Sequence, residues 1–114
     1  MIRDLNRTDN GQIFRCSLCN KIHIEFKSIN FNFDDKEYDF FRKYINDLDG
    51  EYIEFSNSHM NLRRKIVIPV GHRNMNFLLN NTELVELKKL LVNAKVGKQS
   101  IKLVNDFKYT FCNN

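Results

Sequence analysis

The sequence predicts an α+β fold, and three observations carry that prediction. Residues 22–26 alternate apolar and polar side chains with a period of two, the mark of a half-buried antiparallel strand. Two later stretches, 38–48 and 84–94, repeat apolar residues at helical spacing. A chain of 114 residues has room for one core and not two. The expected architecture is a single domain over 1–114, with a mainly antiparallel sheet of about five strands and two helices packed on one face. The expected order is β-β-α-β-β-β-α, followed by a docked C-terminal segment.

Each element has its own warrant. Residues 12–16 read as a short strand running into the turn Cys16-Ser17-Leu18-Cys19-Asn20, and 21–26 read as its hairpin partner, with Ile22, Ile24 and Phe26 on one face. After Lys27-Ser28 the apolar phase moves to Ile29, Phe31 and Phe33, which implies a bulge or sharp bend. Asp34 and Asp35 offer an N-cap and first-turn charge to a helix carrying Tyr38, Phe41, Ile45 and Leu48, and Asp49-Gly50 reads as its end. Residues 51–55, 65–70 and 74–80 are strand candidates, with Gly71-His72-Arg73 as the turn between the last two and Pro69 marking an edge. Asn81 or Thr82 is expected to cap a second helix with Leu84, Leu87, Leu91 and Ala94 inward, Glu83, Glu86, Lys88, Lys89 and Asn93 outward, and Gly97 as its stop. Residues 101–111 are too apolar for a tail and are expected to dock.

Composition excludes several classes. With 42% hydrophobic residues and ten Phe, the chain can bury a real core and is not a disordered regulator. No apolar run approaches the roughly 18 residues that a membrane-spanning helix needs. The N-terminus Met1-Ile2-Arg3-Asp4 is charged where a secretory signal would be apolar, so cytoplasmic residence is the expectation. Charge is uneven: residues 1–57 hold eight Lys/Arg against eleven Asp/Glu, a net −3, and residues 58–114 hold ten against three, a net +7. An acidic partner, protein or nucleic acid, is consistent with that division.

Three cysteines, Cys16, Cys19 and Cys112, are an odd number, which argues against a disulfide framework in a reducing compartment and leaves thiols or metal ligands. Cys16-x-x-Cys19-Asn20 has the form of a knuckle, a strand-to-strand turn in which Asn tolerates a left-handed backbone. A structural zinc site needs four ligands, and no second C-x-x-C exists. His23, His59, His72 and Cys112 are the candidates to complete it, by Cys112 with one His or by two protomers sharing; the favoured set is Cys16, Cys19, His23 and Cys112. Reduced, packed thiols remain the competing reading. A thioredoxin-like role fits less well, because a strand and not a helix follows the pair. The acidic cluster Asp34, Asp35, Glu37 and Asp39 has the spacing of a helix start. No Gly-rich phosphate loop, nucleophile elbow or H-E-x-x-H motif is present.

The sequence of features, the C-x-x-C knuckle leading into Ile22-His23-Ile24-Glu25-Phe26, then Phe31-Asn32-Phe33, 65–69 and the leucine-rich 82–94, resembles a family of short uncharacterised bacterial proteins with an N-terminal C-x-x-C knuckle. The resemblance spans most of the chain and implies a compact domain, with no activity attached. The function expected from the residues is a non-catalytic binding module, an accessory or regulatory subunit that docks on a protein partner. Its contact residues are expected among Arg63, Arg64, Lys65, Phe107, Tyr109 and Phe111, with a structural zinc at the knuckle. The alternatives are a basic nucleic-acid-binding domain and, further off, a redox or metal-dependent enzyme.

Overall fold

Short strands joined by turns of two to four residues fold back on their neighbours, and the N-terminal third of the chain does this three times. The computed structural model describes residues 2–95. Strands β1 (Ile2–Thr8), β2 (Gly11–Cys16), β3 (Lys21–Phe26) and β4 (Ile29–Phe33) form an antiparallel sheet in the order β1-β2-β3-β4. Helices α1 (Asp35–Asn46) and α2 (Gly50–Ser56) follow, then a separate two-stranded hairpin of β5 (Ile66–Pro69) and β6 (Asn76–Leu79), and helix α3 (Asn81–Val92). The class is α+β, in the order β-β-β-β-α-α-β-β-α.

The β2–β3–β4 register lines up Ile13, Ile24 and Phe31 in one row and Arg15, Ile22 and Phe33 in the next, all on the face that meets the helices. Against that face α3 brings Leu84, Leu87, Leu90 and Leu91, and α1 brings Tyr38, Phe41 and Ile45, into one buried cluster. Phe77 of β6 joins it through Phe26 and Phe31, whose ring centroids lie 6.4 and 5.8 Å away. The hairpin is therefore attached to the main sheet by side-chain packing and not by a shared ladder.

Several expectations are corrected by this arrangement. Residues 2–8 form an additional strand, unread because its only buried side chain is Leu5; Leu5 sits at a bulge between the pairs Asp4↔Phe14 and Asn6↔Ile13. Of the bulge or sharp bend expected after Phe26, the structure has the bend, in the form of a hairpin turn. Phe26 pairs with Ile29, leaving Lys27 and Ser28 as the loop, with Lys27 at the positive φ of 53° that such turns demand. The strand expected at 51–55 is α2: Asp49, expected to end the first helix, instead caps a new one by accepting from the Tyr52 N–H at 3.2 Å. A Cβ at Gly50 would lie 2.0 Å from Asn81 Oδ1 and 2.9 Å from Leu84 Cδ2, so any larger residue there would have to push both side chains aside. Among the described residues three helices stand where two were expected, and two sheets where one was. Pro69 lies on β5, whose one partner among the described residues is β6, as expected of an edge strand.

The helix ends are accounted for one by one. Asp34 and Glu37 form a capping box on α1, and Asn80 and Glu83 form one on α3, so the cap falls one residue before the expected Asn81. At the far end of α3, Asn6 Nδ2 donates to the Leu90 carbonyl at 2.9 Å and the Tyr38 hydroxyl donates to the Leu91 carbonyl at 3.3 Å. Burial pushes the Tyr38 hydroxyl up to about 12, opposed by nearby Arg42 and reinforced by Asp39. Lys88 Nζ closes the connection between the first two helices by donating to the Leu48 carbonyl. Gly97 and 101–111, expected to stop α3 and to dock, lie outside the described residues.

Leu87 is fully buried, and Val85 on the same helix is exposed. Replacing Leu87 by Ala is expected to cost about 2–5 kcal/mol in a urea melt, through lost burial and the cavity left behind. Val85→Ala should change stability by less than about 0.5 kcal/mol.

Candidate metal centre

The β2–β3 turn is closed by a short backbone bond: the Asn20 N–H donates to the Cys16 carbonyl at 2.7 Å, with Asn20 in the left-handed region at φ 57°. Asn accepts that conformation at low cost, which is the local reason it follows the second cysteine. The turn places Cys16 at the end of β2 and Cys19 just before β3, and the strand pairing sets the third partner. Phe14 faces His23, which faces Asn32, all on the side of the sheet away from the helices.

Three donor groups meet as a result. The sulfurs of Cys16 and Cys19 and a ring nitrogen of His23 lie within 4.8 Å of one another, and all three residues are buried. His23 Nε2 is 3.7 Å from Cys19 Sγ. Its other nitrogen, Nδ1, is hydrogen-bonded to Asn32 Oδ1, and Phe14 stacks on the ring with centroids 4.9 Å apart and planes 22° from parallel. Asn32 Oδ1 also accepts from Asn30 Nδ2 at 3.4 Å, and with that oxygen as acceptor the matching His23 tautomer carries its proton on Nδ1. The Nε2 lone pair is thereby left facing the sulfurs. Such an outer partner on the far ring nitrogen is the usual orienting device of a metal-bound histidine.

The set of two thiols and an imidazole suits a tetrahedral, borderline-soft ion. Metal–sulfur bonds near 2.3 Å and metal–nitrogen bonds near 2.0 Å put tetrahedral ligands roughly 3.5 Å apart, so a contraction of about 1 Å closes the cluster on an ion. The arrangement can hold a metal. Among the described residues His59 and His72, the other candidates, are exposed in loops and take no part in the cluster, and Cys112 lies outside those residues. Cys19 leads into β3 and not into a helix, so the turn lacks the helix N-terminus that lowers a redox cysteine's pKa.

Arg15 is the residue nearest the turn that sequence reasoning passed over. It is only 4% exposed, on the helix-facing side of β2, yet its guanidinium reaches out to the knuckle. Nη1 donates to Asn20 Oδ1 at 3.2 Å, and Nη2 pairs with Asp35 Oδ1 at 2.9 Å at the start of α1. Its Nε is buried without a partner. Phe14 and Asn32 were also missed; the signal lay in the hairpin register, which puts them opposite His23 once the two turns are placed.

The basic residues singled out in the sequence are dispersed in their roles. Arg64 makes a two-pronged pair with Glu83 at 2.7 and 2.9 Å, and Lys65 Nζ donates to the Met60 carbonyl; Arg63 is exposed. Glu83, expected to face outward, is 7% exposed and sits under Arg64, because the capping box turns it toward β5. Phe107, Tyr109 and Phe111 lie outside the described residues. In the acidic cluster, Asp34 caps α1 while Asp39 pairs with Arg42 and Lys43, whose hydrogen bonds hold its carboxyl below the usual range.

What the fold and this cluster define is a small α+β domain with a buried Cys-Cys-His group at a strand-to-strand turn. The chain belongs to DUF6686, a family of unknown function, whose match covers residues 1–114. Searches of the curated proteins and of the solved structures returned no match.

Hydrogen bonds from Arg64 hold the Glu83 carboxyl below its ordinary value of 4.5, against the opposing effect of burial. A lowered folded-state value means stability that is complete above the ordinary range and is lost as pH falls through the lowered one. Glu83→Gln keeps the capping box and removes the charge. It should lower the melting temperature by a few degrees at pH 7, and the gap from the unaltered protein should close as pH falls below about 4, read by thermal scans across pH.

Proposed function

We propose that the chain is a non-catalytic docking module whose β2–β3 turn is set by a structural zinc ion, held by Cys16, Cys19 and His23 with Cys112 as the fourth ligand. The observation that carries this reading is the buried convergence of two thiols and an oriented imidazole within 4.8 Å. Zinc prefers such a sulfur and nitrogen set, and structural sites close all four positions with protein ligands. Cys112 is the remaining thiol of the chain. The chain leaves the described region at Lys95, whose N–H donates to the Leu5 carbonyl on β1, and the residues between 95 and 112 can span up to roughly 55 Å.

Docking draws support from the edge strand β4. Phe31 and Phe33 line a groove of about 380 Å³ with Phe40, Phe41, Pro69 and Val70, and Phe40 is 74% exposed at its rim. A protein partner presenting an apolar segment beside a strand edge that has no partner among the described residues is the occupant this surface suits. The nucleic-acid alternative has fewer cations to draw on, since Arg64, Lys65 and Lys88 are engaged within the fold.

Elemental analysis of purified protein should find one zinc per chain, and a chelator should lower the melting temperature. Cys16→Ser, Cys19→Ser and Cys112→Ser should each release it. Protein without metal, whose cysteines react freely with a thiol reagent, would sink the zinc reading. A Cys112→Ser protein that keeps full zinc would remove that residue from the set.

A further inference from the structure

We infer that Arg15, acting through Asn20 and Asp35, is the positioning residue of the metal knuckle and couples metal binding to the start of α1. The inference rests on the metal reading above and names what aligns that site. A cavity of about 270 Å³ lies between the knuckle and the first residues of α1, lined by Cys19, Asn20, Asp34 and Asp35 among others. The two segments thus face each other across open space at this point. The bridge from Asn20 Oδ1 through the Arg15 guanidinium to Asp35 Oδ1 joins them, at 3.2 and 2.9 Å.

The choice of arginine follows from geometry. One planar fork can hold the amide of a left-handed Asn and a carboxylate on a different element at the same time, which a lysine's point charge cannot. Asn20 is the residue whose φ of 57° closes the turn between the cysteines and β3, so whatever holds its side chain also sets where Cys19 lies relative to His23. Arginine is buried here with its Nε unpaired, an arrangement that packing alone would select against. A residue that served only the core would be apolar at this place, next to Ile22 and Phe33.

The test is zinc affinity of the full chain, measured by competition with a chromophoric chelator, together with the absorption spectrum of the cobalt(II)-substituted protein. Arg15→Lys and Asp35→Asn are the variants. Asp35 is half exposed, so its substitution leaves a folded protein even where Arg15→Lys does not. Leu87→Ala serves as a control that loosens the fold far from the turn. Loss of an orienting partner typically weakens metal binding 10–100-fold. Both latch variants should fall in that range and shift the cobalt ligand-field bands, while Leu87→Ala leaves those bands in place. Latch variants that bind zinc within about twofold of the unaltered protein, with unchanged cobalt bands, would overturn the inference while the zinc site stands. Equal weakening by Leu87→Ala, with bands unchanged throughout, would overturn it as well. Unaltered protein that binds neither ion would end both readings together.

Discussion

The register of the β2–β3 hairpin is the constraint on which the rest of the molecule depends. Six consecutive pairs, from Gly11↔Phe26 to Cys16↔Lys21, commit alternate residues to opposite faces. A slip of one position would pair Ile13 with His23 or Glu25 in place of Ile24, so Ile13 could stay against the helices only by bringing polar partners in and turning Ile22 and Ile24 outward; the hydrophobic term selects the observed pairing. The same selection decides chemistry. With Ile22 and Ile24 inward, His23 must face outward between Phe14 and Asn32, and the turn that closes the hairpin delivers both cysteines beside it. Core and candidate metal centre are two faces of a single pairing decision.

That division leaves polar groups in places where water cannot serve them, and the fold answers most of them individually. The end carbonyls of α3 receive Asn6 and Tyr38, the carbonyl of Leu48 receives Lys88, and the buried Glu83 receives Arg64. Arg15 is the exception among the described side chains, with two nitrogens engaged and Nε unsatisfied. An unmade hydrogen bond of that kind costs about 1–3 kcal/mol. Retaining it makes physical sense where the other two bonds join separate elements across open space, as they do between Asn20 of the knuckle and Asp35 of α1.

Legibility in the sequence followed how local the determining physics was. The alternation at 22–26, the Asp34 cap with its Tyr38, Phe41 and Ile45 stripe, and the Leu84, Leu87 and Leu91 face are set by neighbours a few residues away, and the structure places them as read. The knuckle and its Asn20 were legible for the same reason. What was not legible depended on distant partners. Residues 2–8 carry almost no apolar pattern and become a strand because β2 offers an edge to pair with. Residues 51–55 carry the β-favouring Tyr52, Ile53 and Phe55 and read as a strand, yet Asp49 caps them as a helix and Gly50 lies against Asn81 and Leu84 of α3, a contact that no local pattern announces. Glu83 looked solvent-facing until Arg64 arrived from nineteen residues earlier. At the site, His23 was one candidate of three and only the register singled it out.

The size of any metal contribution to stability depends on which loops the ion closes. Cys16, Cys19 and His23 lie within eight residues on a hairpin that its backbone ladder already orders. An ion held by these three alone would restrict little of the unfolded chain, and its removal should loosen the turn more than the domain. A fourth ligand at Cys112 changes the account, since the ion would then close a loop of roughly ninety residues, where closure entropy is some four or five doublings larger, or about 2.5–3 kcal/mol. The two cases separate in a urea titration of metal-loaded and chelator-treated protein. A local ion should leave the midpoint nearly unchanged while hydrogen exchange rises only at the knuckle amides. A loop-closing ion should move the midpoint for the whole domain, and Cys112→Ser should reduce that movement to the local case even if some metal is still bound. The stability difference therefore tells whether an ion at this cluster would shape a turn or tie residue 112 to the hairpin.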